Sequence, residues 1–136
     1  MRNIYFLGVI LLFFINCKSV FKRNEKCNCS VEYYISNIDS INNYYIIYAR
    51  EVIKGHKYKI ISKKEICNSR SKIRPGNTYY LEIKSLFSAV IDGKEYVIDN
   101  IDCAVIENNS FCKEPENLIF DVSKSKNLKG LCYNKN

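Results

Sequence analysis

The stretch Asn42-Asn43-Tyr44-Tyr45-Ile46-Ile47-Tyr48-Ala49-Arg50-Glu51-Val52-Ile53 decides the fold. It is rich in β-branched and aromatic side chains, which pack well on a pleated, half-buried surface, and it holds no glycine or proline. It reads as a long strand. Lys54-Gly55-His56 is a turn, and Lys57–Lys64 follows as a second strand with apolar residues at Tyr58, Ile60 and Ile61. Upstream, Val31–Ile38 is a third strand-like run built on Tyr33, Tyr34 and Ile35. Downstream, Pro75-Gly76-Asn77 makes a turn. Tyr79, Leu81 and Ile83 then alternate with Tyr80, Glu82 and Lys84, one oily face and one wet. Asp92-Gly93 between Ser88–Ile91 and Glu95–Ile98 is a two-residue hairpin signal, because that turn needs positive φ at both positions.

About five short strands at this spacing suggest a closed or nearly closed barrel, which leaves few exposed edges. The C-terminal part differs. Glu114-Pro115-Glu116 has the chemistry of a helix start, with Leu118, Ile119 and Val122 as its buried face. Ile119-Phe120-Asp121-Val122 also reads as a strand, and the helix is the preferred expectation.

The first residues of the 136-residue chain stand apart. A short basic start is followed by the apolar run Ile4–Ile15 and then by Asn16-Cys17-Lys18-Ser19, the shape of a secretory signal peptide. The apolar run is shorter than the ~20 residues of a membrane span. This assigns 1–19 to a signal peptide cut near Ser19, with Cys17 or Ser19 as the small residue before the cut. Residues 20–26 form a polar lead-in and 27–136 one domain. An alternative is a small bacterial lipoprotein anchored at Cys17, although Phe14 and Ile15 are bulkier than that signal prefers.

Removing Cys17 from the seven cysteines leaves Cys27, Cys29, Cys67, Cys103, Cys112 and Cys132. In a small exported domain, six cysteines read as three bridges, and the sequence does not choose among the possible pairings. Two sequons exist, at Asn28 and Asn108, and Asn108 is the expected glycan acceptor because Asn28 adjoins Cys29. The formal charge is +7, of which Arg2 and Lys18 would leave with the signal. That balance suits acidic partners: anionic polysaccharide, an anionic membrane surface or an acidic protein face.

An enzyme is not expected. The chain has one histidine, His56, and lacks a Cys-x-x-Cys pair, a Gly-rich phosphate loop and a Ser/His/Asp set. Asp99, Asp102 and Glu107 read as solvated acids. No cofactor or metal is implied. The candidate binding surface is the basic stretch Lys54, His56, Lys57, Lys59, Lys63, Lys64, Arg70, Lys72 and Arg74. Strand alternation puts Lys57, Lys59 and Lys63 on one face, where a sulfated chain would bind by counterion release. The bland reading is a solvated face of a strand pair. Of the 11 tyrosines, Tyr33, Tyr44, Tyr48, Tyr79 and Tyr96 are expected in the core or at the barrel rim. Exposed aromatics on such a barrel stack on sugars or bases.

Several pieces, in order, resemble a netrin-like (NTR) module of the kind that ends several complement components. Cys29-Ser-Val-Glu-Tyr-Tyr-Ile35 looks like the module's opening strand. Tyr44–Gly55 looks like its second strand and turn. Ile60–Cys67 is similar to its strand leading to a cysteine, and Lys72–Leu81 to its Gly-x-x-Tyr-Leu strand. Cys103 and Cys112 form a close pair, and Cys132 lies near the end. The resemblance covers about residues 27–132. It implies an all-β fold with a small α component, an OB-fold-like five-stranded barrel with a C-terminal helix. It also implies the bridges Cys27–Cys67, Cys29–Cys132 and Cys103–Cys112. The implied role is a secreted, extracellular, non-catalytic module that binds extracellular protein or sulfated polysaccharide. It would be a monomer, without nucleic acid or an integral membrane span. Cys27-Asn28-Cys29 departs from the complement pattern and is similar to the start of the tissue inhibitors of metalloproteinases, which share the barrel. In those inhibitors the α-amino group and carbonyl of the first cysteine chelate the catalytic zinc. Inhibition through Cys27 is therefore an alternative, and it requires Cys27 to be the mature N-terminus. Here Val20–Lys26 would precede it, and no third cysteine lies between Cys29 and Cys67.

Overall fold

The computed structural model describes residues 31–68 and 71–135. The expected signal peptide and lead-in, the Cys17 anchor, Cys27, Cys29, Asn28 and Arg70 lie outside the described residues.

The described chain is mostly strand, with almost no helix. Strand β1 (Val31–Ile41) turns at Asn42 into β2 (Tyr44–Glu51), which leads through the Gly55 turn into β3 (Lys57–Lys63). Strands β4 (Thr78–Leu81) and β5 (Ile83–Ser85) follow. Two hairpins come next, β6 (Ser88–Ile91) with β7 (Lys94–Val97), and β8 (Cys103–Ile106) with β9 (Asn109–Cys112). A short 3-10 turn (Pro115–Asn117) precedes β10 (Ile119–Ser125), and β11 (Leu128–Lys129) pairs with β12 (Cys132–Tyr133). The Asp92-Gly93 hairpin turn has the expected positive φ at both positions, 50° and 74°.

The main sheet runs β4-β1-β2-β3-β10-β5. Its neighbours are antiparallel except β3 and β10, which are parallel. The two outermost strands, β4 and β5, are consecutive in the chain with only Glu82 between them. The sheet therefore curls until both ends reach one segment. Asn127 fastens that segment: its side-chain oxygen accepts from the Glu82 N–H at 3.1 Å, and its amide donates to the Tyr80 carbonyl at 2.8 Å.

Strand alternation gives the curled sheet two apolar faces. Inside the curl, Tyr33, Ile35, Ile47, Ile60, Ile73 and Leu81 form the main core. On the outer face, Tyr44, Ile61 and Val122 lie beneath Phe87 and Phe111. Each fully buried isoleucine contributes about 1.5–3 kcal/mol of transfer free energy. Ile60 and Ile61, neighbours in β3, thus serve opposite faces, so the middle of β3 is buried on both sides.

Two expectations are corrected. The C-terminal helix is replaced by the 3-10 turn and strand β10, because parallel pairing with β3 (Ile119 opposite Lys57, Ser123 opposite Ile60) satisfies the backbone that a helix would have satisfied locally. Leu118, at φ 60°, ends the turn in a left-handed conformation that an α-helix cannot continue through. The cysteine pairing also differs. Cys103 is bonded to Cys112 as the resemblance implied, but Cys67 is bonded to Cys132 rather than to Cys27. The cause is the strand-like contact of residues 71–73 with β12: Lys72 faces Cys132, the Tyr133 N–H donates to the Ser71 carbonyl at 2.8 Å, and the Ile73 N–H donates to the Leu131 carbonyl at 2.9 Å. That contact brings Cys67 and Cys132 to a Cα separation of 5.6 Å.

Gly130 gives a local test of this packing. It has φ +57°, and a Cβ there would lie 3.1 Å from the Glu65 carbonyl oxygen and 3.2 Å from the Glu65 nitrogen. Its carbonyl accepts from Ser62 Oγ at 2.8 Å. Gly130→Ala is expected to cost about 2–3 kcal/mol, combining left-handed strain with a backbone clash. Gly55→Ala, at φ +75° with nothing within 4 Å, should cost only about 1 kcal/mol. Urea unfolding midpoints of the two variants check the difference.

Candidate functional site

The described residues cover the outer face of the sheet unevenly. Hairpin β8–β9 seats Phe111 against Tyr44, ring centroids 5.4 Å apart and edge to face, and so closes the outer face over that end of β2. Tyr48 and Arg50, further along the same face of β2, are left beside an open groove of about 620 Å³. Its other walls are Tyr34, Ser36, Asn37 and Asp39 of β1, Lys57 and Tyr58 of β3, and Glu114, Asn117 and Ile119.

A β-bulge builds the β1 wall. Ile35 pairs with Ala49 and Asn37 pairs with Tyr48, leaving Ser36 as an extra residue. Without it, alternation would send Asn37 inward. With it, Ser36 and Asn37 are both exposed, and Ile38 returns to pack against the main core. Ser36 Oγ donates to the Tyr48 carbonyl at 3.1 Å, which fixes the bulge against β2.

The floor carries two aromatic–cation contacts. The Arg50 guanidinium lies 5.8 Å from the Tyr34 ring centroid, and the Lys59 ammonium lies 5.9 Å from that of Tyr48. Glu114 closes one end. Its carboxylate forms an ion pair with Lys59, receives Asn117 Nδ2 at 3.1 Å and lies 3.4 Å from the Tyr48 hydroxyl. The hydrogen bond from Lys59 holds the Glu114 carboxyl below its ordinary pKa. Burial, with the Glu114 charge nearby, pushes the Tyr48 phenol up.

The expected basic patch does not form one surface. Lys59 is buried, 6% exposed: it pairs with Glu114 and donates to the Cys112 carbonyl at 2.8 Å. Alternation alone put it beside Lys57 and Lys63 on a wet face, but the 3-10 turn and the end of β9 cover the middle of that face. Lys57 is exposed at one end of β3, its ammonium 3.3 Å from the Asn117 carbonyl. Lys63 is at the other end, about 20 Å away along the strand, bonded to Glu107 at 2.6 Å. Lys64 donates to the Asn42 carbonyl at 2.8 Å and lies over Tyr45. Lys54 and His56 flank the buried Glu51 carboxylate at 3.8 and 4.0 Å. Lys72 and Arg74 are exposed on either side of buried Ile73, beside β12. Among the described members of this set, Lys57 alone is exposed at the groove, with Lys59 buried beneath its floor, and Arg50 joins Lys57 there.

Of the tyrosines expected in the core or rim, Tyr33 and Tyr44 are buried and Tyr48 and Tyr79 half-buried, whereas Tyr96 is half in solvent on β7, a hairpin with no further strand beside it among the described residues. Asn108 is exposed at the tip of the β8–β9 hairpin, at φ 64°, while Asn109 is buried and bonded to the Glu107 carbonyl. Asp99, Asp102 and Glu107 are exposed, Asp102 lying 3.9 Å from the Lys113 ammonium and Glu107 2.6 Å from that of Lys63. No cluster of metal-ligating side chains and no helix long and apolar enough to cross a membrane exists among the described residues. No family model, curated protein or solved structure matches the chain.

The titrating groups give a pH profile. Glu114 and Glu107, each held low first by a lysine hydrogen bond, stabilise the fold above their ordinary value of 4.5, and this is lost as pH falls through their lower folded values. Tyr33 and Tyr58, raised first by burial above 10.0, stay protonated in the fold, so stability is full below pH 10 and declines above it. Melting temperature should be flat between these limits and fall on both sides. Glu114→Gln should flatten the acid limb.

Proposed function

We propose that the chain is an exported, non-catalytic binding module of netrin-like type, built as an OB-like barrel, whose ligand lies in the groove across β1, β2 and β3. The barrel reading is supported by the strand order, with parallel β3 and β10 and with the β4/β5 segment bordering both β1 and β10. Export is supported by the signal-like N-terminus and by the two bridges among the described residues.

The single observation that carries the binding reading is the groove itself. It has tyrosine walls, hydrogen-bonding groups turned outward by the bulge, and two unburied cations, Arg50 and Lys57. Glu114 is already neutralised by Lys59, so Asp39 is the one acid set against those two cations. The chemistry this fits is an acidic saccharide: a sugar face against tyrosine, its hydroxyls on Asn37 and Ser36, and its acidic group between Arg50 and Lys57.

Titrating the isotope-labelled protein with sulfated oligosaccharide tests this. Amide shifts should concentrate at Tyr34–Asn37 and Tyr48–Arg50, and the double variant Arg50→Glu/Lys57→Glu should weaken binding more than about tenfold. Shifts centred on Lys63–Lys64 or Lys72–Arg74, or equal affinity in the variant, would overturn the reading.

A further inference from the structure

The surface carries two apolar areas of opposite charge. The first is the excursion from β6 to β8, whose two hairpins are not paired into the main sheet. Val90, Ile91, Val97, Ile98, Ile101 and Val105 are 40–72% exposed there. Residues 88–107 carry Asp92, Glu95, Asp99, Asp102 and Glu107 against the single base Lys94; Glu107 pairs with Lys63 and Asp102 with Lys113, which leaves Asp92, Glu95 and Asp99 to make the ribbon acidic, a net −2 against Lys94 in a chain of +7. Hairpin β6–β7 is a two-stranded sheet with no further neighbour among the described residues. Such a ribbon is marginally stable in water by itself, and an apolar area of this extent marks a contact surface.

The second area is the rim of a hollow of about 480 Å³ beside the start of β3, lined by Gly55, His56, Lys57, Tyr58, Leu118, Phe120 and Asp121. Leu118 and Phe120 are 61% and 62% exposed, and the adjoining turn presents Val52 and Ile53, the latter 86% exposed. A bulge in β10, between Ile119 opposite Lys57 and Val122 opposite Lys59, places Phe120 outward. The exposed cations of the rim are Lys54 and Lys57, with His56 between them in the chain. Of the acids there, Asp121 is occupied by the hydroxyls of Ser85 and Ser123, and Glu51 is buried beneath Lys54 and His56.

We infer that these areas dock on each other between two copies of the chain. The acidic apolar ribbon of one copy covers the basic apolar rim of the other, and a two-fold axis makes the contact occur twice. Charge chooses the occupant. An anionic lipid surface repels an acidic ribbon, whereas the rim supplies both the apolar anchors and the opposite sign. This replaces the monomer expected from the sequence; the rim shares Lys57 and Tyr58 with the groove, but the positions that test the contact, Val97 and Ile53, do not line it.

Sedimentation velocity of the full oxidised chain over a wide concentration range, at low and high salt, tests the inference. A dimer is expected whose dissociation constant rises with salt. Val97→Lys on the ribbon and Ile53→Glu on the rim should each weaken self-association by about thirtyfold, as for a central anchor. Mixing the two variants should restore association, because the heterodimer retains one intact contact and gains a Lys–Glu pair in the other. Both positions are exposed, and circular dichroism verifies that each variant folds. If either does not fold, Glu95→Lys and Lys54→Glu take their places. A monomer at every concentration and salt, an unaffected Ile53→Glu variant, or a mixture that stays monomeric would each overturn the inference.

Discussion

Glu114→Leu is expected to lower the unfolding free energy by about 3–5 kcal/mol, because it removes one partner of a buried pair and leaves the other charged. Lys59 is 6% exposed on a strand that is buried on both faces. Its remaining polar contact would be the Cys112 carbonyl at 2.8 Å, and a neutral acceptor does not replace a carboxylate. Glu114 keeps part of its side chain in water, so Lys59→Met, which leaves a carboxylate with Asn117 and Tyr48 for company, should cost less, about 2–3 kcal/mol. The double variant Lys59→Met/Glu114→Leu should recover most of the loss, since two apolar side chains of similar volume replace the pair. A double-mutant cycle by urea unfolding measures the coupling. Additive losses would mean that the two side chains do not depend on each other.

Cys67→Ser/Cys132→Ser is expected to cost about 4 kcal/mol, and Cys103→Ser/Cys112→Ser about 2.5 kcal/mol. The sequence separations are 65 and 9, and a longer loop restricts the unfolded chain more. The positions reinforce the ranking. Cys67–Cys132 ties the segment after β3 to β12, and with it Ile73 and Leu128 of the main core. Cys103–Cys112 closes a hairpin whose strands are already paired residue by residue. Guanidinium denaturation of the two double variants decides it, and equal midpoints would contradict the ranking.

How much was legible depended on how local the determining physics is. Strands β2 and β3 follow from their β-branched and aromatic runs, and the β6–β7 turn from the need for positive φ at Asp92-Gly93. Strand β1 reads as ending at Ile38, yet with the bulge at Ser36 it continues to Ile41. The available signal for the groove was Ser36-Asn37, two consecutive polar residues inside an apolar strand, the second opposite Tyr48. Local chemistry at Glu114-Pro115-Glu116 favoured a helix, but pairing of β10 with β3 across some sixty residues overrode it. Lys59 was misplaced for a related reason. Alternation assigns a face, and it says nothing of what the chain later lays over that face. The cysteine partners likewise depend on where β12 lands.

The strand divided at Glu82 has a kinetic consequence. The curl closes only when a central segment meets both β1 from early in the chain and β10 from late in it. Loop-closure entropy for those distant meetings falls due before most native contacts exist, so the polypeptide belongs with topologies that reach the native state in milliseconds to seconds rather than microseconds.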